Sequence, residues 1–235
     1  VHLFSYLINL NMKRLVKRIF IYIIKKLNYS ENILQDLLSN EELVSRKTIW
    51  KGYLYDKGWY KSFVEQKPID KDGKPIPWLT YPFIDFLVPK MKEDKKIFEF
   101  GSGNSTLFYS QHFQEVNAVE RNKEWHNYLK DVIPTNANLI LSDSDEEYTK
   151  SLIGKYDLII IDGYNRYECG LSSLDHLTGD GVVVVDDSER EEESRLCNML
   201  AGEGFKRLDF WGTAAGIWYT KCTSLFYRKD NWLNL

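Results

Sequence analysis

The sequence predicts an α/β fold: a mostly parallel sheet of seven strands that ends in an antiparallel hairpin, preceded by a helical and aromatic N-terminal extension. Three observations predict it. Asp157 to Ile161 and Gly181 to Val185 are continuous branched apolar runs, the pattern of strands covered on both faces of a parallel sheet. Lys95 to Thr106, KKIFEFGSGNST, reads as a strand, a glycine turn and a helix start. Gly204 to Trp211 and Cys222 to Arg228 are strands whose connection, Gly212 to Lys221, is too short for a helical crossover, so they pair antiparallel.

A chain of 235 residues, 43% hydrophobic and 28% charged, can bury one sizeable core with an appendage. The expected division is an N-terminal extension over residues 1–80 and a main domain over 81–235. A net charge of -3 argues against a nucleic-acid partner, which a basic excess normally announces. Cys169, Cys197 and Cys222 are odd in number and widely spaced, with no Cys-x-x-Cys pair, which fits reduced thiols in the cytoplasm.

In order along the chain, Met12 to Leu27 alternates basic pairs with apolar residues at helical spacing. Its longest apolar run is six residues, too short to span a bilayer. It is either a docked helix or leader, or a basic amphipathic helix resting peripherally on an inner membrane surface. Met12 also reads as a natural start, which would leave Val1 to Asn11 outside the native protein. Glu31 to Val44 is a second amphipathic helix with Ser30 as its cap. Trp50 to Thr80 turns to Trp, Tyr, Gly, Lys and Pro, with a turn over Asp70 to Pro75; it reads as a lid in which Trp59, Trp78 and Tyr81 are stacking surfaces or simple packing. Tyr81 to Met91 is a short helix.

At the turn that follows the first strand, Gly101 and Gly103 admit positive φ and a close ligand approach. Asn104, Ser105 and Thr106 cap the next helix, Leu107 to Phe113, and Ser102 lies inside the turn, so a nucleotide-like cofactor fits there. Glu99 lies within the strand, placed to accept from an ammonium group. S-adenosylmethionine carries that group and NAD does not. Glu115 to Glu120 is the second strand, and its final acid lies about 20 residues beyond the turn, the spacing for a ribose contact.

Further on, Lys123 to Val132 is a helix and Ala137 to Leu141 a strand. Asp143 follows it, either as a ligand contact or as the cap of a helix over Glu146 to Leu152. The strand at Asp157 to Ile161 delivers Asp162, and after a helix over Arg166 to Leu177 the valine strand delivers Asp186 and Asp187. Ligands of open α/β sheets sit beyond the carboxyl ends of strands, so the three carboxylates are expected to converge. Asp187 or Ser188 could instead cap a helix over Ser188 to Leu200. Converging carboxylates repel unless protonated, separated or bridged by a cation, and hard oxygen donors favour magnesium or calcium.

The acid-x-Gly-x-Gly turn at Glu99 to Gly103, the acid ending the second strand and the terminal hairpin together resemble the class I S-adenosylmethionine-dependent methyltransferases over about Pro82 to Arg228. The resemblance implies a Rossmann-like sheet, S-adenosylmethionine as cofactor, Glu120 on the ribose, Asp143 on the adenine amino group, and Glu99, Gly101, Ser102, Gly103, Asn104, Ser105 and Asp162 around the rest of the cofactor. Ser105 stands where relatives often carry a third glycine. The acid set also resembles metal-dependent O-methyltransferases of the catechol and macrolide-sugar type, implying that Asp162, Asp186 and Asp187 hold Mg2+. Relatives often place a Lys or second Asp shortly after the fourth-strand Asp as base; here Gly163, Tyr164 and Asn165 follow, leaving Asp162 or Asp187 as the base. The expected activity is O-methylation of a small hydroxylated acceptor, such as a sugar or surface-polysaccharide unit, with the loop Gly212 to Gly216 at the acceptor pocket. The alternatives are an NAD-dependent dehydrogenase or epimerase, and a non-catalytic binding module.

Overall fold

A computed structural model describes residues 52–235, and elements are numbered here among those residues. The amphipathic segments 12–27 and 31–44 lie outside them. Residues Tyr53–Leu235 form one compact unit. It begins with α1 (Tyr53–Asp56) and α2 (Trp59–Glu65), then α3 (Tyr81–Leu87), which runs into a 3-10 turn at Val88–Lys90. There follow β1 (Lys96–Phe100), α4 (Asn104–Tyr109), β2 (Glu115–Glu120), α5 (Lys123–Lys130), β3 (Ala137–Leu141) and α6 (Asp145–Thr149). The chain continues through β4 (Tyr156–Ile161), α7 (Arg166–Leu174), β5 (Leu177–Val185), a 3-10 turn at Glu191–Glu193, α8 (Ser194–Gly202), β6 (Lys206–Gly212) and β7 (Lys221–Tyr227).

The seven strands form one sheet in the order β3-β2-β1-β4-β5-β7-β6. β1 to β5 pair in parallel, and β7 enters antiparallel between β5 and β6. The expected hairpin is present, but the insertion of its second strand next to β5 is a long-range choice that a connection length does not reveal. The strand order reverses between β1 and β4, where open α/β sheets bind their ligands.

Alternation along the strands sorts side chains onto two cores. Ile97, Leu158, Ile160, Val182, Val184 and Leu225 face one core, which Trp59, Leu79, Tyr81 and Phe83 complete. Phe98, Phe100, Ile159, Ile161, Val183 and Val185 face the other, against α7 and α8 through Cys169, Leu196 and Leu200. All three cysteines are free and buried, and the described residues contain no helix long and apolar enough to cross a membrane.

Several boundaries differ from the sequence expectation. The helix after the glycine turn starts at Asn104, so Asn104, Ser105 and Thr106 form its first turn, and of the three Thr106 caps it, its hydroxyl accepting from the Gly103 N–H. Ser144 caps α6 by accepting from the Glu147 N–H, which removes the cap reading of Asp143. β5 begins at Leu177, before its valines, and α7 ends at Leu174 to make room. The helix expected from Ser188 starts only at Ser194, so neither Asp187 nor Ser188 caps it.

Candidate functional site

Period-2 alternation fixes where the acids point. Glu99 lies on the face of β1 that carries Ile97, and the positions after β4 and β5, Asp162 and Asp186, continue the faces of Leu158 and Ile160 and of Val182 and Val184. The ladder runs one residue beyond each strand: the N–H groups of Gly101, Asp162 and Asp186 donate to Val119, Phe100 and Ile161 carbonyls at 3.0, 3.1 and 3.1 Å. The acids therefore emerge side by side at the carboxyl edge. On β7, Thr223 and Lys221 share the face of Leu225, so the antiparallel strand delivers both toward Asp186.

A cavity of about 470 Å³ lies above the β1 turn. Glu99, Gly101, Ser102, Gly103, Asn104, Ser105, Glu120 and Asp162, all expected from the sequence, line it. Gly101 has φ 99, and a side chain there would meet the Asp162 carbonyl at 3.1 Å. Gly103 has φ 170, extended backbone that any residue adopts, so the expected need for positive φ holds at Gly101 alone. The Thr106 hydroxyl accepts from the Gly103 N–H at 3.1 Å and donates to Glu99 Oε2 at 2.7 Å, tying the turn to the buried acid. Burial pushes the Glu99 carboxyl up to about 7, against hydrogen bonds from Ser105 and Thr106, and the charge of Glu120 adds to the push. Glu120 accepts from Ser102 Oγ at 2.7 Å and from the Asn122 N–H at 2.7 Å.

Other parts of the wall were not legible as site residues. Trp125 donates through Nε1 to the Ser102 carbonyl at 3.0 Å, and Arg121 stacks on the Tyr164 ring at 3.9 Å while pairing with Asp145. Gln66, Lys67 and Pro68 close the cavity from the N-terminal side, where Asn104 Nδ2 donates to the Pro68 carbonyl at 2.6 Å. The lid expectation thus has a structural counterpart, but its aromatic residues divide. Trp59 and Tyr81 are 5% and 1% exposed and belong to the core, whereas Trp78 is 48% exposed and lines the cavity. Trp78 is held by its Nε1 donating to the Ala215 carbonyl at 2.8 Å.

A second cavity, about 230 Å³, is lined by Trp78, Asp162, Asp186, Asp187, Arg190, Ile217, Tyr219 and Lys221. The expected convergence of acids is present: one ligand atom from each of Asp162, Asp186 and Asp187 lies within 4.8 Å of the others. The cation that balances them comes from the chain. Lys221 Nζ pairs with Asp186 and lies 2.6 Å from Asp187 Oδ1. Arg190 reaches Asp187 Oδ2 at 2.6 Å, Arg166 stands 3.4 Å from Asp162 and 3.5 Å from Asp187, and Thr223 donates to Asp186 Oδ1 at 2.6 Å.

These partners set the protonation. Burial and then repulsion from Asp186 raise the Asp162 carboxyl, against Arg166 and Lys221; its side chain keeps 29% of its surface open. Burial also raises Asp186, against the pull of Lys221. Burial pushes Asp187 upward as well, but hydrogen bonding and charge from Lys221, with Arg166 and Arg190, outweigh it and hold it low. For Lys221 burial works against the charge, yet the surrounding carboxylates win and hold the ammonium protonated. Magnesium does not fit this donor set as it stands: the oxygens that would ligate it from Asp186 and Asp187 already accept from Lys221, Arg190 and Thr223. Of the ways expected to relieve the repulsion, the structure shows cations supplied by the chain itself, from β7, α7 and the segment after β5.

Two expected positions fall elsewhere. Asp143 is exposed and lines neither cavity. In the loop from 212 to 220 the residues at the second cavity are Ile217 and Tyr219, while Thr213 and Ala215 bind Tyr81 and Trp78. Arg166 was legible in principle, four residues after Asp162 on a helix start. Lys221 gave no signal, because a lysine opening a strand reads as a solvated end.

Comparison with known proteins finds a family match within the parallel half. The family Methyltransf_24, described as a methyltransferase domain, matches residues 98–188. No curated protein sequence matches the chain. Among solved structures, a precorrin-6y C5,15-methyltransferase from Geobacter metallireducens GS-15 is similar at 16% identity and TM-score 0.49, over 62% of this chain and 85% of its own. A methyltransferase from Pyrococcus furiosus is similar at 18% identity and TM-score 0.48, over 74% and 95%. An rRNA methylase from Streptococcus thermophilus is similar at 16% identity and TM-score 0.45, over 61% and 92%. These are distant likenesses of fold. The family match runs from within β1 to just beyond β5 and likens that segment to a methyltransferase domain.

Proposed function

We propose that the protein is an S-adenosylmethionine-dependent O-methyltransferase acting on a small hydroxylated acceptor, such as a sugar or a surface-polysaccharide unit. The observation that carries the reading is that the two cavities share Asp162 and Trp78, so a donor in the larger one and an acceptor in the smaller one meet at a carboxylate. The sulfonium of the bound cofactor supplies a methyl group already activated for transfer. Glu99 pairs with its ammonium group, Glu120 accepts from its ribose hydroxyls, and the N–H groups of the Gly101 to Ser105 turn hold its carboxylate end.

The chain's remaining task is alignment and removal of one proton. Asp162 takes the acceptor O–H proton: its raised affinity for protons suits a base, whereas Asp187 is held ionised by three cations and is the poorer choice. Trp78 and Tyr219 offer flat surfaces to a sugar ring. A small acceptor is favoured over a nucleic acid because the smaller cavity is lined by three carboxylates and the chain carries a net charge of -3. A cytoplasmic location, with residues 12–27 resting on the inner membrane surface, belongs to the same proposal.

Calorimetric titration with S-adenosylhomocysteine and with NAD tests the donor site. Binding of the first and not the second is expected; the reverse result would replace the reading with a dehydrogenase. A screen of hydroxylated acceptors with labelled S-adenosylmethionine then tests the reaction, and Asp162→Asn is expected to lower turnover by about 100-fold or more with any acceptor found. Undiminished turnover would remove Asp162 as the base.

A further inference from the structure

The second cavity joins three carboxylates, whose convergence the sequence leads one to expect, to an ammonium that no sequence signal connects to them. Asp162 and Asp186 extend β4 and β5, Asp187 follows in a left-handed conformation with φ 49, and Lys221 opens β7 from the far end of the chain. Lys221 is 4% exposed, Asp186 1% and Asp187 6%, so the group is built into the protein and is no mobile surface pairing. The other charges facing it are Arg166, Arg190 and Glu193; Arg166 lies 3.6 Å from Glu193. Without Lys221, three converging carboxylates at the strand ends would present the oxygen donors that a hard divalent cation takes. With it, each of Asp186 and Asp187 already has an ammonium hydrogen bond.

We propose that Lys221 occupies the place of a divalent cation, making the acceptor site metal-free, with the lysine ammonium as the fixed positive charge against which the acceptor oxygen is held. The proposal rests on the reading of the second cavity as the acceptor site. An acceptor hydroxyl entering beside Asp162 gives its proton to that carboxylate, and the oxygen left behind gains negative charge next to Lys221 Nζ. A bound metal would supply that charge by coordination; a lysine supplies it by hydrogen bonding and needs no ion from solution.

The test uses the full chain and Mn2+ as the probe, followed by electron paramagnetic resonance and by thermal unfolding. The wild-type protein is expected to bind Mn2+ no tighter than on the order of 1 mM, the range of weak oxygen-donor sites, and to show no thermal stabilisation by it. Lys221→Met is expected to expose the three-carboxylate set, to bind Mn2+ at least tenfold more tightly than wild type and to be stabilised by it. Rescue of a poorly folding Lys221→Met by Mn2+ during refolding is the same result. Submillimolar Mn2+ binding by wild type that disappears in Asp186→Asn would overturn the proposal, as would a folded Lys221→Met with no gain in Mn2+ affinity. If the variant folds under neither condition, the wild-type titration decides. S-adenosylhomocysteine titration of the same wild-type protein reports on the donor cavity, so failure of the methyltransferase reading and failure of the lysine assignment give different patterns.

Discussion

The two cavities that meet at Asp162 treat negative charge in opposite ways. Among the described residues, Glu99 and Glu120 in the larger one have no ion-pair partner; their oxygens accept only from hydroxyl and backbone groups. Asp186 and Asp187 in the smaller one are enclosed by Lys221, Arg166 and Arg190. An acid left without a counter-charge is poised for a cationic ligand, whereas an acid cluster already neutralised presents a finished surface to a neutral one. The contrast fits a sulfonium donor with a free ammonium on one side and a hydroxylated acceptor on the other.

The comparison breaks most visibly at Lys221. Removing one partner of a buried ion network leaves uncompensated charge, so Lys221→Met is expected to lower unfolding free energy by about 3–5 kcal/mol in metal-free buffer, measured by denaturant titration. A loss below about 1 kcal/mol would mean that Arg166 and Arg190 alone balance the acids. In the other cavity, Glu99→Gln is expected to weaken S-adenosylhomocysteine binding on the order of 100-fold in calorimetry while leaving the fold intact. An unchanged affinity would show that Glu99 does not meet the ammonium.

The wall of the larger cavity, next to Asp162, yields a third prediction. A side chain at Gly163 would meet the Tyr148 hydroxyl at 2.0 Å and the Gly101 nitrogen at 2.9 Å. Gly163→Ala is therefore expected to cost about 1–3 kcal/mol of stability by overpacking and to weaken cofactor binding with it, both read by thermal shift with and without S-adenosylhomocysteine. The smallest effect is the pH dependence of Glu99. Its folded-state carboxyl sits at about 7, above the value of an exposed glutamate, so the neutral acid is the form the cavity accommodates. In the ligand-free protein its contribution to stability is fully present below the unfolded value and is lost as pH rises through about 7. Ligand affinity has the opposite sign, falling up to about tenfold per pH unit below that point as the carboxylate is protonated. Stability profiles of wild type and Glu99→Gln that run parallel between pH 5 and 8 would contradict both statements.

How much was legible follows from the range of each interaction. The strand-turn-helix at Lys96 to Tyr109, the branched strands at β4 and β5 and the acids at or near the carboxyl ends of β1, β2, β4 and β5 are set by local spacing, and about half of the larger cavity's lining was named from them. Asp143 is exposed and lines neither cavity: the resemblance fixed its chain position and could not fix its direction. Trp59 and Tyr81 were indistinguishable from Trp78 by type, and only packing sends two into the core and one to the cavity wall.

What the sequence by itself determined is the parallel α/β architecture and the row of carboxylates at its carboxyl edge, because alternation and strand length act within a few residues. What only the tertiary structure decided is the charge of the smaller cavity. β7 inserts between β5 and β6 and sets Lys221 against an acid 35 positions away, Asp186, and no periodicity in the chain encodes a contact made by pairing distant strands.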